Sequence, residues 1–235
     1  MHMFLTHSDY RELAAFVLKG KWKDVTIISL VYYAILLAAS FLLYLVNENI
    51  SSLAAILLMP MTWGLMVMHL DNKRTDEDKV YTFKCSTLFV GFKDYRRITW
   101  TMLLVNIYTV LWSLLLIVPG IIKSYQYKLT PFILKDHPEM SANEAIKRSM
   151  EVTKGYKWTL FTFDLCYIGW WLLSILSAGI GFLFLIPYYY AALSTMYDDM
   201  NCGWERAHGL EVEWDEETPE EENGPQDKEN NNVTE

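Results

Sequence analysis

Long apolar runs without charge are the feature that most constrains how this chain can fold. A run of about 20 apolar residues spans the hydrocarbon core of a bilayer, where backbone polar groups must pair within the segment. Four such runs contain no Asp, Glu, Lys or Arg, and a fifth, 159–177, is interrupted only by Asp164. The sequence therefore predicts an all-α, polytopic integral membrane helical bundle.

We expect about six transmembrane helices in this bundle. Their predicted bounds are 25–46, 51–70, 98–118, 120–135, 159–177 and 179–197. Pro119 and Gly120 predict a tight turn before the fourth helix, because proline is tolerated in a first helical turn. The fourth helix is short and contains Lys123, Lys128 and Pro131, so a re-entrant segment is the alternative.

The acidic balance of the chain is concentrated at its C-terminus. The net charge is −8, but residues 1–203 are slightly basic, and 204–235 are rich in Glu, Asn and Pro. Such a composition has little apolar surface to bury. We therefore predict a helical membrane domain at 1–203 and an acidic, disordered cytoplasmic tail at 204–235, with no sign of nucleic-acid binding.

The lysines and arginines alternate between loops and so predict the orientation. Bases cluster before the first span, between spans two and three, and between spans four and five, whereas the other three connections have none. Cytoplasmic loops carry the excess of bases. This pattern predicts a multi-pass membrane protein with both termini in the cytoplasm.

A short pattern recurs three times along the chain. A glycine followed by a basic and aromatic cluster stands at Gly20, Gly91 and Gly155. Each apolar hairpin that follows contains a Leu-x-x-Pro motif, ending at Pro60, Pro119 and Pro187, with Phe in place of Leu in the third. The pattern is typical of a parallel threefold repeat. The local alternative is that each glycine ends a surface helix in the left-handed conformation.

Amphipathic interfacial helices are predicted before the hairpins. The segment "SANEAIKRSMEVTKG" opens with Ser141 and has Glu144 three residues later, which is a capping box. Its apolar residues fall on one face and its charged residues on the other. A helix of this kind at a membrane boundary is expected to lie in the headgroup plane.

Three blocks of this sequence resemble a known family. The segments "TLFVGFKDYRR", "LWSLLLIVPGIIKSYQYKLTPFILKDHPEMSANEAIKRSMEVTKGYKWTLFTFDLCYIGW" and "GIGFLFLIPYYYAALSTMYDDM" are similar to the bacterial integral membrane family called domain of unknown function 975. The resemblance covers roughly Leu13 to Met200, and a weaker likeness runs to the membrane domains of some glycerophosphodiester phosphodiesterases. The resemblance implies a multi-span protein of the bacterial cell (inner) membrane, and it implies no established activity.

Lys128 and Asp164 are the candidate intramembrane polar pair. Both lie about 10 Å inside the predicted inner boundary, at 1.5 Å of helix rise per residue. Ionisable groups at such depth are costly and are often functional. The alternative is a structural pair that fixes the register of two helices, or a lysine that reaches to the surface.

The remaining candidate residues form two groups. Tyr125, Gln126 and Tyr127 could line a polar pocket, although tyrosines near the end of a span more often pack at the interface. Seven bases are candidate contacts for anionic headgroups, and the alternative is that they only set the topology. They are Lys93, Arg96, Arg97, Lys147, Arg148, Lys154 and Lys157.

Catalytic and metal-binding patterns are not found in the sequence. The histidines and cysteines have no metal-ligand spacing, no phosphate loop or nucleophile elbow occurs, and 71–78 reads as a solvated loop of mixed charge. We therefore expect no cofactor and no metal. The first hypothesis is a non-enzymatic membrane module that interacts with lipids or with a membrane or cytoplasmic protein partner. The alternatives are a small solute or lipid transporter with a polar path between spans four and five, and an intramembrane enzyme.

Overall fold

The fold was analysed in a computed structural model, which describes residues 6–47, 50, 53–75 and 82–209. No β-strand occurs in that part of the chain, and the all-α prediction is confirmed. The α-helices are α1 His7–Val17, α2 Trp22–Val46, α3 Leu53–Leu57, α4 Met59–Lys73, α5 Tyr95–Leu115, α6 Ile117–Tyr127, α7 Thr130–Asp136, α8 Ala142–Val152, α9 Lys157–Leu176 and α10 Phe182–Ala207, with a 3₁₀ helix at Cys85–Phe92.

Three helices are long and apolar enough to cross a membrane, namely α2, α5 and α9. Much of their surface is exposed apolar side chain: Leu37, Phe41, Leu111 and Leu172 are more than half exposed. Patches of that size are normal only where lipid or a partner covers them. The helices thus identify a membrane protein, but they account for three of the six predicted spans.

The other three predicted spans correspond to helices that form the core. Almost every residue from Pro60 to Leu70 in α4 is buried, as are the residues of α7 from Thr130 to Leu134 and most of α10 from Ala191 to Met200. These inner helices pack against one another and are surrounded by α2, α5 and α9. Each outer helix is followed along the chain by one inner arm: α3 and α4 follow α2, α6 and α7 follow α5, and α10 follows α9. We call an outer helix and the inner arm that follows it a unit.

Two of these inner arms are interrupted rather than continuous. The predicted span 51–70 is divided between α3 and α4 at Leu58, and 120–135 is divided between α6 and α7 at Lys128 and Leu129. Pro60 and Pro131 stand in the first turn of α4 and α7, where a missing N–H is tolerated because the first N–H groups of a helix have no intrahelical partner. The predicted uninterrupted helices at these positions are therefore wrong.

The turn between α5 and α6 also differs from the prediction. The chain turns at Leu116, which has extended backbone angles, whereas Pro119 and Gly120 already lie inside α6. Gly120 packs directly on Ser113 of α5: a Cβ at Gly120 would lie 2.6 Å from the Cα of Ser113. The glycine permits close helix packing and does not form the turn.

The three short helices at the surface close a ring around the core. The 3₁₀ helix packs on α4, α8 packs on α7 and α6, and α1 packs on α10 at the far end of the chain. Each surface helix thus covers the inner arm of the preceding unit, and α1 connects the first unit to the last. This arrangement agrees with the threefold pattern in the sequence.

The local interpretation of the three glycines holds at two positions. Gly20 and Gly155 have φ of 78° and 93°, in the left-handed region that follows a helix. Gly91 does not: it lies within the 3₁₀ helix, where a Cβ would collide with the carbonyl of Pro60. Its role is a close approach between two backbones, so the predicted cap is wrong there.

The predicted capping box is present at the start of α8. Ser141 Oγ accepts from the Glu144 N–H, and the Glu144 carboxylate accepts from the Ser141 N–H at 2.8 Å. These bonds lower the pKa of Glu144. The apolar face of α8, with Ala145, Ile146 and Val152, is buried against the protein, so it is not available to enter the headgroup region as we expected.

The basic connections meet at one end of the bundle. Side chains of these connections donate hydrogen bonds to the ends of the inner arms. Lys21 donates to Asn72, Arg74 to Asp136, Arg97 to the Leu134 carbonyl and Arg148 to Glu205. Helix α10 continues at this end to Ala207, past the predicted boundary at 203. The rest of the predicted tail, 210–235, lies outside the described residues.

Candidate functional site

The structure brings Lys128 and Asp164 together as an ion pair. Lys128 lies at the break between α6 and α7, which is caused by Pro131, and Asp164 projects from α9. The Lys128 Nζ lies 2.6 Å from both Oδ1 and Oδ2 of Asp164. The side chains are 16% and 31% exposed, so the pair is largely removed from the surroundings.

Aromatic side chains complete the environment of this pair. The Tyr189 hydroxyl of α10 donates to Asp164 Oδ1 at 2.8 Å. The Lys128 Nζ lies 5.1 Å from the centre of the Tyr125 ring and 5.3 Å from that of Tyr189, within cation–π range. The cation and the carboxylate therefore both have partners, and the pair joins the second and third units.

The predicted pocket of Tyr125, Gln126 and Tyr127 does not form. Tyr125 packs towards α9, with its ring 6.1 Å from Phe161, whereas Tyr127 packs towards α5, 6.3 Å from Tyr108. The Oε1 atom of Gln126 is buried and has no hydrogen-bond partner among the described residues. Successive residues of a helix point in different directions, which is why these three do not share a cavity.

The seven candidate headgroup contacts separate into two groups. Four bases are exposed, Lys93, Arg96, Lys147 and Lys154, and Lys157 is half-buried. Arg97 and Arg148 have partners within the protein. Arg97 donates to the Leu134 carbonyl at 3.2 Å, and Arg148 donates to Glu205 at 2.8 Å.

Arg148 is therefore a structural contact rather than a headgroup contact. Its guanidinium also lies 4.2 Å from the centre of the Trp204 ring, so it anchors the last turns of α10 on α8. Trp204 and Glu205, at the start of the predicted tail, are therefore packed against the helical domain.

A second charge cluster joins the three inner arms, and the sequence interpretation missed it. Arg74, at the end of α4, donates to both carboxylate oxygens of Asp136 at 2.8 Å, and to Asp198 Oδ1 at 2.7 Å. Lys73 pairs with Asp198 Oδ2 at 2.8 Å, and the Tyr197 hydroxyl donates to Asp136 at 2.6 Å. Two cations and two anions are thus balanced where α4, α7 and α10 meet.

The geometry of this cluster keeps Arg74 charged. Burial acts to lower the pKa of Arg74, but the hydrogen bonds and charges of Asp136 and Asp198 outweigh burial and hold it above its ordinary value. Asp71, interpreted from the sequence as part of a solvated loop, lies in α4 and pairs with Lys135. Each inner arm ends in a charged residue that the sequence shows. These residues are far apart along the chain, so the sequence did not indicate that they contact one another.

Residues 104–201 match the family model described as "Protein of unknown function (DUF975)". The resemblance to this family is confirmed. The matched region contains α6 to α9 entirely, with Lys128, Asp164, Asp136 and Asp198, and the family description assigns no activity. The resemblance of residues before 104 stays a prediction.

The other comparisons identify no relative. No curated protein and no solved structure matches the chain. The likeness to the membrane domains of glycerophosphodiester phosphodiesterases is not shown. The biochemical activity is therefore unknown, and a proposal must rest on the contacts described above.

Proposed function

We propose that this chain is a non-enzymatic integral membrane module that binds anionic lipid headgroups at its basic end. One observation carries the proposal: at that end the buried charges pair with one another, whereas Lys93, Arg96, Lys147 and Lys154 are exposed. An exposed base near an anionic surface contributes about 1 kcal/mol to association.

The proposed topology has six crossings. The outer helices α2, α5 and α9 cross in one direction, and the inner arms α3–α4, α6–α7 and α10 return. An arm of about 20 residues at 1.5 Å per residue has the length of a hydrocarbon core even when it is interrupted. Interrupted helices are tolerated at this depth where protein surrounds them, as it does α4 and α7.

The proposed orientation places the basic end in the cytoplasm of a bacterial cell, with the chain in the inner membrane and both termini inside. Cysteine labelling tests this orientation. In a variant with Cys85, Cys166 and Cys202 replaced by Ser, a membrane-impermeant maleimide added to whole cells should label Ala178→Cys and leave Lys154→Cys unlabelled until the cells are opened. The reverse pattern would contradict the orientation.

Lipid selection tests the function itself. We expect the purified protein, equilibrated with an equimolar mixture of phosphatidylglycerol and phosphatidylcholine, to retain phosphatidylglycerol preferentially. A variant with Lys93, Arg96, Lys147 and Lys154 replaced by Gln should lose most of this preference, because four favourable charge interactions are removed. A control with the three lysines replaced by Arg keeps the charge and should keep the preference.

The transporter alternative has less support in the geometry. A polar path requires groups that can exchange partners with a solute, but Lys128, Asp164 and Tyr189 satisfy one another. A protein partner at the basic end is the competing explanation of the exposed bases. Equal retention of both lipids by the unaltered protein would favour that partner over lipid.

A further inference from the structure

An apolar groove runs beside the third hairpin. It lies between α1 and α2 on one side and α9 and α10 on the other, and its lining includes Ala15, Trp22, Trp170, Phe184 and Tyr188. Trp170 and Phe184 are at least half exposed, so the groove opens on the same apolar surface as the outer helices. A hydrocarbon chain fits these surroundings, since the groove borders the region that the bilayer should occupy.

One end of this groove approaches a cation. Arg11 precedes Ala15 by one helical turn and lies on the same face of α1. The Tyr188 hydroxyl donates to the Arg11 carbonyl at 3.0 Å, and the Trp22 ring lies 6.2 Å from that of Tyr188. Arg11 is half-buried there, at the level where α1 covers α10.

Two polar atoms near this end have no partner in the described part of the chain. The Nε atom of Arg11 and the hydroxyl of Tyr167 are both buried without a hydrogen bond, and Tyr167 is 0% exposed. The ring of Tyr167 lies 5.9 Å from that of Tyr188, whose hydroxyl bonds to the Arg11 carbonyl. Buried donors are normally satisfied, and the described residues supply no acceptor to either of these two.

We propose that Arg11 and the adjoining groove form a discrete binding site for one anionic phospholipid. The phosphate accepts hydrogen bonds from the Arg11 guanidinium, and an acyl chain occupies the groove along α10. The guanidinium fork suits a phosphate geometrically. Glu12, the nearest carboxylate in the sequence, is exposed. This inference deepens the proposed function and rests on it.

The test measures binding of single lipids to the full-length chain in non-ionic detergent by native mass spectrometry. Palmitoyl-oleoyl phosphatidylglycerol should saturate one high-affinity site, and Arg11→Gln should weaken its affinity about tenfold, the effect of one charged hydrogen bond. Lys23→Gln is the matched control, because Lys23 is an exposed base in the first turn of α2. It should change the affinity by less than about twofold.

Two further measurements separate the contribution of the headgroup to binding from that of the acyl chain. Ala15→Phe fills the groove at an exposed position and should weaken phosphatidylglycerol binding without changing any charge. Glycerol 1-phosphate, which has the phosphate but no acyl chain, should bind far more weakly than the lipid. If Arg11→Gln does not fold, Arg11→Lys, which keeps the charge and loses the fork, replaces it and should also weaken binding.

Each contrary outcome has a distinct meaning. Equal weakening by Arg11→Gln and Lys23→Gln would reduce the site to general surface charge and overturn the inference, while the proposed function would stand. Equal binding of glycerol 1-phosphate and the lipid would indicate a free-phosphate site and overturn it as well. Failure of the unaltered protein to bind phosphatidylglycerol would overturn both the inference and the proposed function.

Discussion

At the scale of single residues, the contact of Lys128 with Asp164 joins two largely buried charges into one neutral pair. The pair is joined by the Tyr189 hydroxyl and covered by the ring of Tyr125. A buried ion pair adds little stability beyond an apolar pair of the same shape, but removal of one partner leaves an uncompensated charge. The pair therefore specifies how α6, α9 and α10 align.

This reasoning predicts a strongly non-additive double-mutant cycle. Lys128→Ala or Asp164→Ala should each lower the free energy of unfolding in mixed micelles by about 3 kcal/mol. The double variant should be more stable than the sum of the single effects predicts, since no charge is left without a partner. Additive losses would show that the two side chains act independently and would reopen the transporter alternative.

Arg74 supports a second prediction at the same scale. Arg74→Met leaves Asp136 and Asp198 with fewer partners and should destabilise the protein by about 3 kcal/mol. Arg74→Lys keeps the charge but cannot donate to both carboxylates in the same way, so it should lose an intermediate amount. Arg96→Met, at an exposed base, is the control and should change stability by less than about 0.5 kcal/mol.

At the scale of elements, two helical hairpins are closed by the same contact. Gly120 of α6 packs on Ser113 of α5, and Gly181 at the start of α10 packs on Ser174 of α9, with the same spacing between serine and glycine. The absence of a Cβ lets the two backbones approach closely, as small residues do at many membrane helix interfaces.

Gly→Ala substitutions test this contact with an internal control. Gly120→Ala and Gly181→Ala should each cost about 1–3 kcal/mol in unfolding free energy, because the new methyl group would meet serine backbone atoms. Gly169→Ala, in α9, meets nothing within 4 Å and should instead stabilise the helix by about 0.5–1 kcal/mol. Similar changes in unfolding free energy at all three positions would indicate that helix propensity, rather than packing, determines the effect of the substitutions.

At the scale of the whole molecule, α1 joins the beginning of the chain to its last helix. Leu18 and Ala14 are fully buried against the rest of the protein, and the Tyr10 hydroxyl bonds to Asp199 of α10. Burial and the neighbouring carboxylate raise the pKa of Tyr10, so its hydroxyl remains a donor. The ring of three units is closed by this contact.

Loss of this closure should therefore destabilise the entire bundle. Leu18→Ala should lower the free energy of unfolding by about 2–5 kcal/mol, the range for a buried leucine. Phe16→Ala, on the same helix but with Phe16 64% exposed, should have a much smaller effect in detergent. If Leu18→Ala has no effect on α10, measured by protease protection of its C-terminal turns, α1 is not the element that closes the ring.

The sequence predicted local structure well where that structure depends on residues close together along the chain. The capping box of Ser141 and Glu144 and the left-handed glycines Gly20 and Gly155 were predictable, because each depends on residues within one or two turns. Gly91 was not predictable, since its reason for being glycine is Pro60, far away in the chain.

The same limit applies to the candidate sites. Depth along two apolar runs was enough to suggest that Lys128 and Asp164 could meet. Nothing in the sequence distinguished Arg148, which binds Glu205, from the exposed Lys147 beside it, because the direction of a side chain depends on how its helix packs. The pocket at Tyr125 to Tyr127 failed because successive residues of α6 point in different directions.

By itself, the sequence determined that this chain is helical and belongs in a membrane, because uncharged apolar runs can satisfy their backbone in lipid only as helices. The tertiary structure alone decided which apolar helices face outward and which form the core. An apolar sequence indicates burial away from water, but it does not indicate whether lipid or protein surrounds the helix. It also decided which charges meet: Arg74, Asp136 and Asp198 come together only when the three inner arms pack side by side.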